Sequence, residues 1–154
     1  MANTNLNPSD VILSNSGYLK INGVELAELK NIEITMSPEV KSLAVMNSPS
    51  KAEIATGYTG NISFGINKVY SRFKPALLEA AKELRPFNFT LECVTYSADK
   101  NNQEAIYIDN CWFKGDIQLM ALNAEGDFIT ETYEAGFGIE SAEYTDILDD
   151  GNSW

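Results

Sequence analysis

The sequence predicts an α+β domain that is mainly β, an antiparallel β-sandwich or barrel with one amphipathic helix and a long arm. Three observations carry this reading. Apolar residues alternate at period two through most of the chain, turn-like segments separate those runs, and the period becomes helical only once. The 154 residues suit a single domain, since two would each have a thin core.

Residues 1–16, rich in Asn, Ser, Thr and Pro, read as an N-terminal arm that orders only against something else. A β-domain over 17–139 follows. Residues 17–21 alternate like a strand, and Asn22-Gly23 supplies a tight turn with positive φ. The return strand covers 24–36, with Ile32, Ile34 and Met36 on one face and Asn31, Glu33 and Thr35 on the other. Residues 37–59 break the rhythm at Ser37-Pro38, at Asn47-Ser-Pro-Ser50 and at Gly57, yet they carry Val40, Leu43, Val45, Met46, Ile54 and Tyr58 beside Lys41 and Lys51. Such a connection is either a floppy hairpin tip or an arm that buries its apolar residues on another molecule.

Residues 60–67 alternate again, with Ile62, Phe64 and Ile66 inside and Asn61, Ser63 and Asn67 outside. A helix is predicted over 71–84, with Ser71 as N-cap, Pro75 in the first turn and Pro86 beyond the end. Its apolar stripe is Phe73, Leu77, Leu78, Ala81 and Leu84. Further strands are predicted at 87–96, 105–113, 116–123 and 127–139, which brings the total to about seven. Trp112 lies in a very apolar stretch and reads as a core anchor, and Gly136-Phe-Gly138 as a strand bend or bulge. The tail, 140–154, is acidic and reads as solvated.

Charge narrows the function. Twenty-two Asp and Glu face 11 Lys and Arg, a net charge of −11 with no histidine. Such a surface repels phosphate and anionic membranes, and histidine-dependent catalysis, metal binding and pH switching are excluded. The excess is uneven: residues 1–91 hold 8 acids and 9 bases, whereas residues 92–154 hold 14 acids and 2 bases. No stretch approaches the ~20 apolar residues of a membrane span, and the first residues lack the basic and apolar runs of a signal peptide, so cytoplasmic synthesis is expected. Cys93 and Cys111 are then expected as buried thiols without a bridge.

No nucleotide loop, nucleophile elbow or CxxC is present, so no catalytic residue, cofactor or metal is expected. The run from Asp146 to Gly151 lacks the ligand spacing of a calcium loop. Paired acids such as Glu131 and Glu134 are background among 22 carboxylates.

The order of several short segments resembles the PBSX-like phage tail tube proteins. These segments are Gly17-Tyr-Leu-Lys-Ile-Asn-Gly23, Glu28-Leu-Lys-Asn-Ile-Glu33, the irregular arm, Gly57-Tyr-Thr-Gly-Asn-Ile-Ser63, the single helix, the late Gly-Asp-Phe and Glu134-Ala-Gly-Phe137. The resemblance implies a self-assembling structural protein of a virion tail or tail-like particle, built in the bacterial cytoplasm. Its subunits form homohexameric rings stacked into a hollow tube inside a contractile sheath, with sheath, tape-measure, baseplate and tail-completion proteins as partners. Each subunit gives a sheet to a continuous luminal barrel, the arm reaches the next ring and the helix lies outside.

On that reading Val40, Lys41, Leu43, Val45, Met46, Lys51 and Ile54 are the inter-ring contacts. Asn31, Glu33, Thr35, Asn61, Ser63, Thr130, Glu131, Thr132 and Glu134 are candidates for the channel wall, whose carboxylates keep passing DNA or tape-measure protein from sticking. Two other classes stay open on the residues alone: a monomeric acidic β-barrel that binds a ligand or decorates a surface, and an acidic hydrolase using two carboxylates.

Overall fold

The computed structural model describes residues 7–151 and Ser153. The strands are β1 (Ile12–Ile21), β2 (Val24–Glu25), β3 (Leu29–Ala44), β4 (Lys51–Asn67), β5 (Asn88–Ser97), β6 (Gln103–Lys114), β7 (Thr130–Phe137) and β8 (Ala142–Asp146). The helix α1 (Lys74–Lys82) sits between β4 and β5, and short 3-10 turns cover Pro8–Asp10 and Ile139–Ser141. All pairings are antiparallel, in the order β2-β1-β5-β6-β7-β4-β3, with β8 beside β6. The mainly β fold with one helix is as the sequence predicts, but β2 and β3 at the two ends do not pair, so no barrel closes.

The two halves of the sheet fold over one core. Leu19, Ile21, Phe89, Leu91 and Ile108 come from one half, Ile62, Phe64, Ile66, Tyr133 and Phe137 from the other. Ile32 and Ile34 of β3 line one groove with Cys93, Ile106 and Tyr144. Phe73, just before α1, stacks on Phe113 at 4.8 Å and meets Tyr133 edge-on at 5.3 Å, so the helix closes one end of the aromatic core. Both cysteines are free thiols; Cys111 is buried, and Cys93 is half-buried.

Several sequence expectations are corrected. The Asn22-Gly23 turn forms, with φ of 52° and 80°, but only Val24–Glu25 return along β1. At Leu26 the chain leaves for the opposite half, where β3 pairs β4. Residues 12–16 of the expected N-terminal arm belong to β1, with Ile12 opposite Ser97, and residues 1–6 lie outside the described residues. Residues 142–146 of the expected solvated tail form β8 on β6.

The expected strand at 116–123 is absent. Gly115, at φ 74°, turns the chain away from the sheet. β6 already has β5 on one side and β7 and β8 along the other, so its hydrogen-bonding edges are taken.

The helix is shorter than expected and rotated. Its N-cap position is Phe73 without a side-chain cap, so Ser71 does not cap through its hydroxyl. Lys74, Leu77 and Ala80 face inward, while Leu78, Ala81 and Leu84 face out, Leu84 being 94% exposed. A hydropathy reading scores Lys74 as polar and sets the stripe one position off; here an ion pair carries that lysine inward.

Candidate functional site

Two surfaces stand out: a polar face of the sheet and a long hairpin arm. Each begins in strand register. On β7, Tyr133, Ala135 and Phe137 point into the core, so Thr130, Thr132, Glu134 and Gly136 take the other face. Register carries that face across four strands. One row runs Glu33, Ser63, Glu134, Lys114 over β3, β4, β7 and β6, and the next runs Thr35, Asn61, Gly136, Trp112. Asn31, Gly65 and Thr132 form a third row, and Asn67 lies opposite Thr130. The expected residues Asn31, Glu33, Thr35, Asn61, Ser63, Thr130, Thr132 and Glu134 therefore share one face.

Lys114 also stands on this face and was not expected there. Its ammonium donates to Asn61 Oδ1 beside Glu134. Trp112 is 45% exposed rather than a core anchor. Its indole lies over Gly136, where a Cβ would stand 2.8 Å from Nε1. Gly136 is accordingly regular strand, paired with Asn61 and Trp112, and it is neither bend nor bulge.

Glu131 is the exception among the expected wall residues. It is 1% exposed and lies on the core side with Tyr133, whose parity in β7 it shares. Lys74 Nζ approaches Glu131 Oε2 at 2.8 Å, Lys68 Nζ stands 3.9 Å from Oε1, and the Tyr133 hydroxyl donates to Oε2. Burial, the hydrogen bond to Glu131 and its negative charge together push the Tyr133 phenol well above its ordinary range. Burial is the largest single influence on the Lys74 ammonium and works against it, but the hydrogen bond and charge of Glu131, together with the contact to Lys68, outweigh it and raise that group. Sequence parity alone places Glu131 inside; its partners depend on where the helix docks.

A second ion pair fixes the crossing between the two halves. Arg72 grips Glu28 with both ends of its fork, Nε to Oε1 at 2.7 Å and Nη2 to Oε2 at 2.8 Å. This bond holds the Glu28 carboxyl below its ordinary value of 4.5. The Glu28 carbonyl also accepts from Asn67 N, tying the start of β3 to the end of β4.

The arm is regular, in contrast to the break read from its sequence. Residues 37–44 pair with 51–59 down to Ala44 opposite Lys51, with one irregularity between Glu39 and Val40. The Thr59 and Thr56 hydroxyls donate to the Glu39 carboxylate and carbonyl at that point. Pro38 is accommodated because β3 is an edge strand. No core lies against either face of the ribbon, so its side chains need not alternate. Val40, Leu43, Val45, Met46 and Ile54 are all exposed, as are Lys41 and Lys51.

Among the described residues no group of three or more acids and cysteines is placed to hold a metal ion. The depression bounded by Glu33, Ser63, Lys114 and Glu134 is shallow and open.

Among the described residues the sheet is open and antiparallel, with a 16-residue edge strand unpaired on its outer side, one polar face and a projecting hairpin of exposed apolar side chains, a surface of the kind that accepts a further strand. The family comparison is specific: residues 4–146 match the phage tail tube protein family, and the chain belongs to it. No curated protein matches by sequence. Solved structures share the fold at low identity. The sheath-tube complex of an extracellular contractile injection system (PVC, extended state) has a chain that superposes with a TM-score of 0.66 at 6% identity, over 89% of this chain and 93% of that one. The tube-terminating cap of the anti-feeding prophage gives 0.69 at 5%, over 89% and 92%. A chain of a native gene transfer agent virion gives 0.51 at 10%, over 86% and 98%. As a tail tube protein, the chain belongs in a virion tail or tail-like particle.

Proposed function

We propose that this chain is a non-enzymatic tube subunit that forms hexameric rings, stacked into the hollow inner tube of a contractile tail or tail-like particle. The observation that carries this is β3, whose 16 residues pair, among the described residues, only with β4 and leave the outer edge open beside the polar face. A neighbouring subunit that continues the sheet there satisfies that edge and extends the polar face around a channel.

On this reading Asn31, Glu33, Thr35, Asn61, Ser63, Thr130, Thr132 and Glu134 line the lumen with Lys114, and Glu131 is left out because it is buried. The wall is polar and weakly acidic, so DNA or a tape-measure protein slides past it without a binding site. Val40, Lys41, Leu43, Val45, Met46, Lys51 and Ile54 contact the next ring. Sheath, baseplate and tail-completion proteins meet the outside and the ends.

Imaging the concentrated, purified chain by negative stain tests the reading. Rings or filaments with a central hole are expected. Persistent monomers whose melting responds to small ligands favour an acidic binding domain instead.

A further inference from the structure

The arm tip and the segment at 115–129 lie at opposite ends of the same strand. β4 begins at Lys51, at the arm tip, and ends at Asn67 opposite Thr130. Lys68 N donates to Ile129 O at 2.9 Å, and Lys74 Nζ reaches Gln118 O, so the 115–129 loop is fastened at the far end. A rise of ~3.3 Å per residue puts the two roughly 50 Å apart.

Both ends expose apolar side chains that nothing among the described residues covers. Met46 is 88% exposed at the tip, and Leu122 and Phe128 are 88% and 80% exposed on the loop, next to Leu119 and Met120. Their charges are opposite. The arm from Val40 to its paired end at Ile54 contains Lys41 and Lys51 against the single acid Glu53, a net of +1, whereas residues 115–129 contain Asp116, Glu125 and Asp127 and no base, a net of −3. All six of these charged side chains are exposed.

We infer that the 115–129 loop is the seat on which the arm tip of a second copy of this chain docks. Two different patches, complementary to each other and set at opposite ends of the molecule, make a heterologous head-to-tail contact. Such a contact does not close on itself along that axis, so it adds copies end to end. The apolar side chains supply the area, and the lysines facing carboxylates fix orientation and reject an inverted copy. This inference rests on the tube-subunit reading and names the surface that receives the arm.

Two experiments on the full chain test it together. In the first, M46C protein is mixed with L122C protein and treated with a short bis-maleimide under assembling conditions; a Met46-to-Leu122 cross-linked dimer is expected at least tenfold above either variant alone. In the second, the triple loop variant D116K/E125K/D127K is expected to lose filaments, as is the arm variant K41E/K51E. An equimolar mixture of the two, or one chain carrying all five changes, recovers them. Circular dichroism and melting of each variant establish that it is folded. Wild-type filaments with no such cross-link, together with a charge-reversed loop that still assembles, overturn the inference and leave the tube reading standing. Wild-type protein that makes neither rings nor filaments overturns both.

Discussion

At Glu131 a carboxylate is buried in a β-core between two lysines and a tyrosine, and its stability depends on all of them being present. Replacing Lys74 with Met removes the nearer of its two cations and leaves only Lys68 at 3.9 Å, which should cost about 3–5 kcal/mol. Adding Glu131→Leu in the same chain should recover most of the loss, as read by urea unfolding. Glu28 gives a pH dependence of known sign. Its folded carboxyl is held down by Arg72, so its contribution is present above the ordinary value of 4.5 and is lost as pH falls through the lower folded value. The Arg72→Ala variant should therefore lose stability at pH 7 and show a flatter acid limb than wild type, measured as melting temperature between pH 7 and pH 3. Gly136 makes a third case. Gly136→Val places atoms where the Trp112 indole lies; it should shift tryptophan emission and cost about 1–3 kcal/mol.

Among the elements, the β3-β4 hairpin divides into a packed base and a free arm. Ile32, Ile34, Ile62, Phe64 and Ile66 hold the base in the core, while beyond Glu39 the ribbon is exposed on both faces. Deleting residues 40–55 should therefore leave the melting temperature within a few degrees of wild type and abolish stacking in negative-stain images. Long tubes from the shortened chain would show that the arm has no part in stacking. The helix shows the opposite division of labour. Its sequence signals an apolar stripe, but Lys74 and Arg72 reach into the sheet, so its docking is set by two ion pairs in addition to Phe73 and Leu77. Helical period was legible in the sequence. The rotation of the helix was not, because pairing a lysine with a carboxylate 57 residues away leaves no periodic signal.

For the whole molecule, the acidity changes meaning once its acids are located. Of the 14 acids in residues 92–154, Glu131 is buried, Asp116, Glu125 and Asp127 sit on the far loop, and Glu134 is placed on the polar face. The acidity of the proposed channel therefore depends on Glu33 and Glu134, partly offset by Lys114. The double variant E33K/E134K should still assemble, and its tubes should retain labelled DNA at low salt where wild-type tubes do not. Raising the ionic strength should release that DNA.

The sequence by itself determined the mainly β class, the single helix, the Asn22-Gly23 turn and the alternation that separates Ile62, Phe64 and Ile66 from Asn61 and Ser63, since these depend on neighbours one to four residues apart. It also excluded histidine chemistry. Only the tertiary structure decided that the return strand leaves β1 after two residues, that the irregular arm is a paired ribbon, that 116–123 stays out of the sheet and that 142–146 joins it. Each of these turns on which backbone edge is still free when a segment arrives. That is a property of strands far away in sequence, and local composition does not encode it.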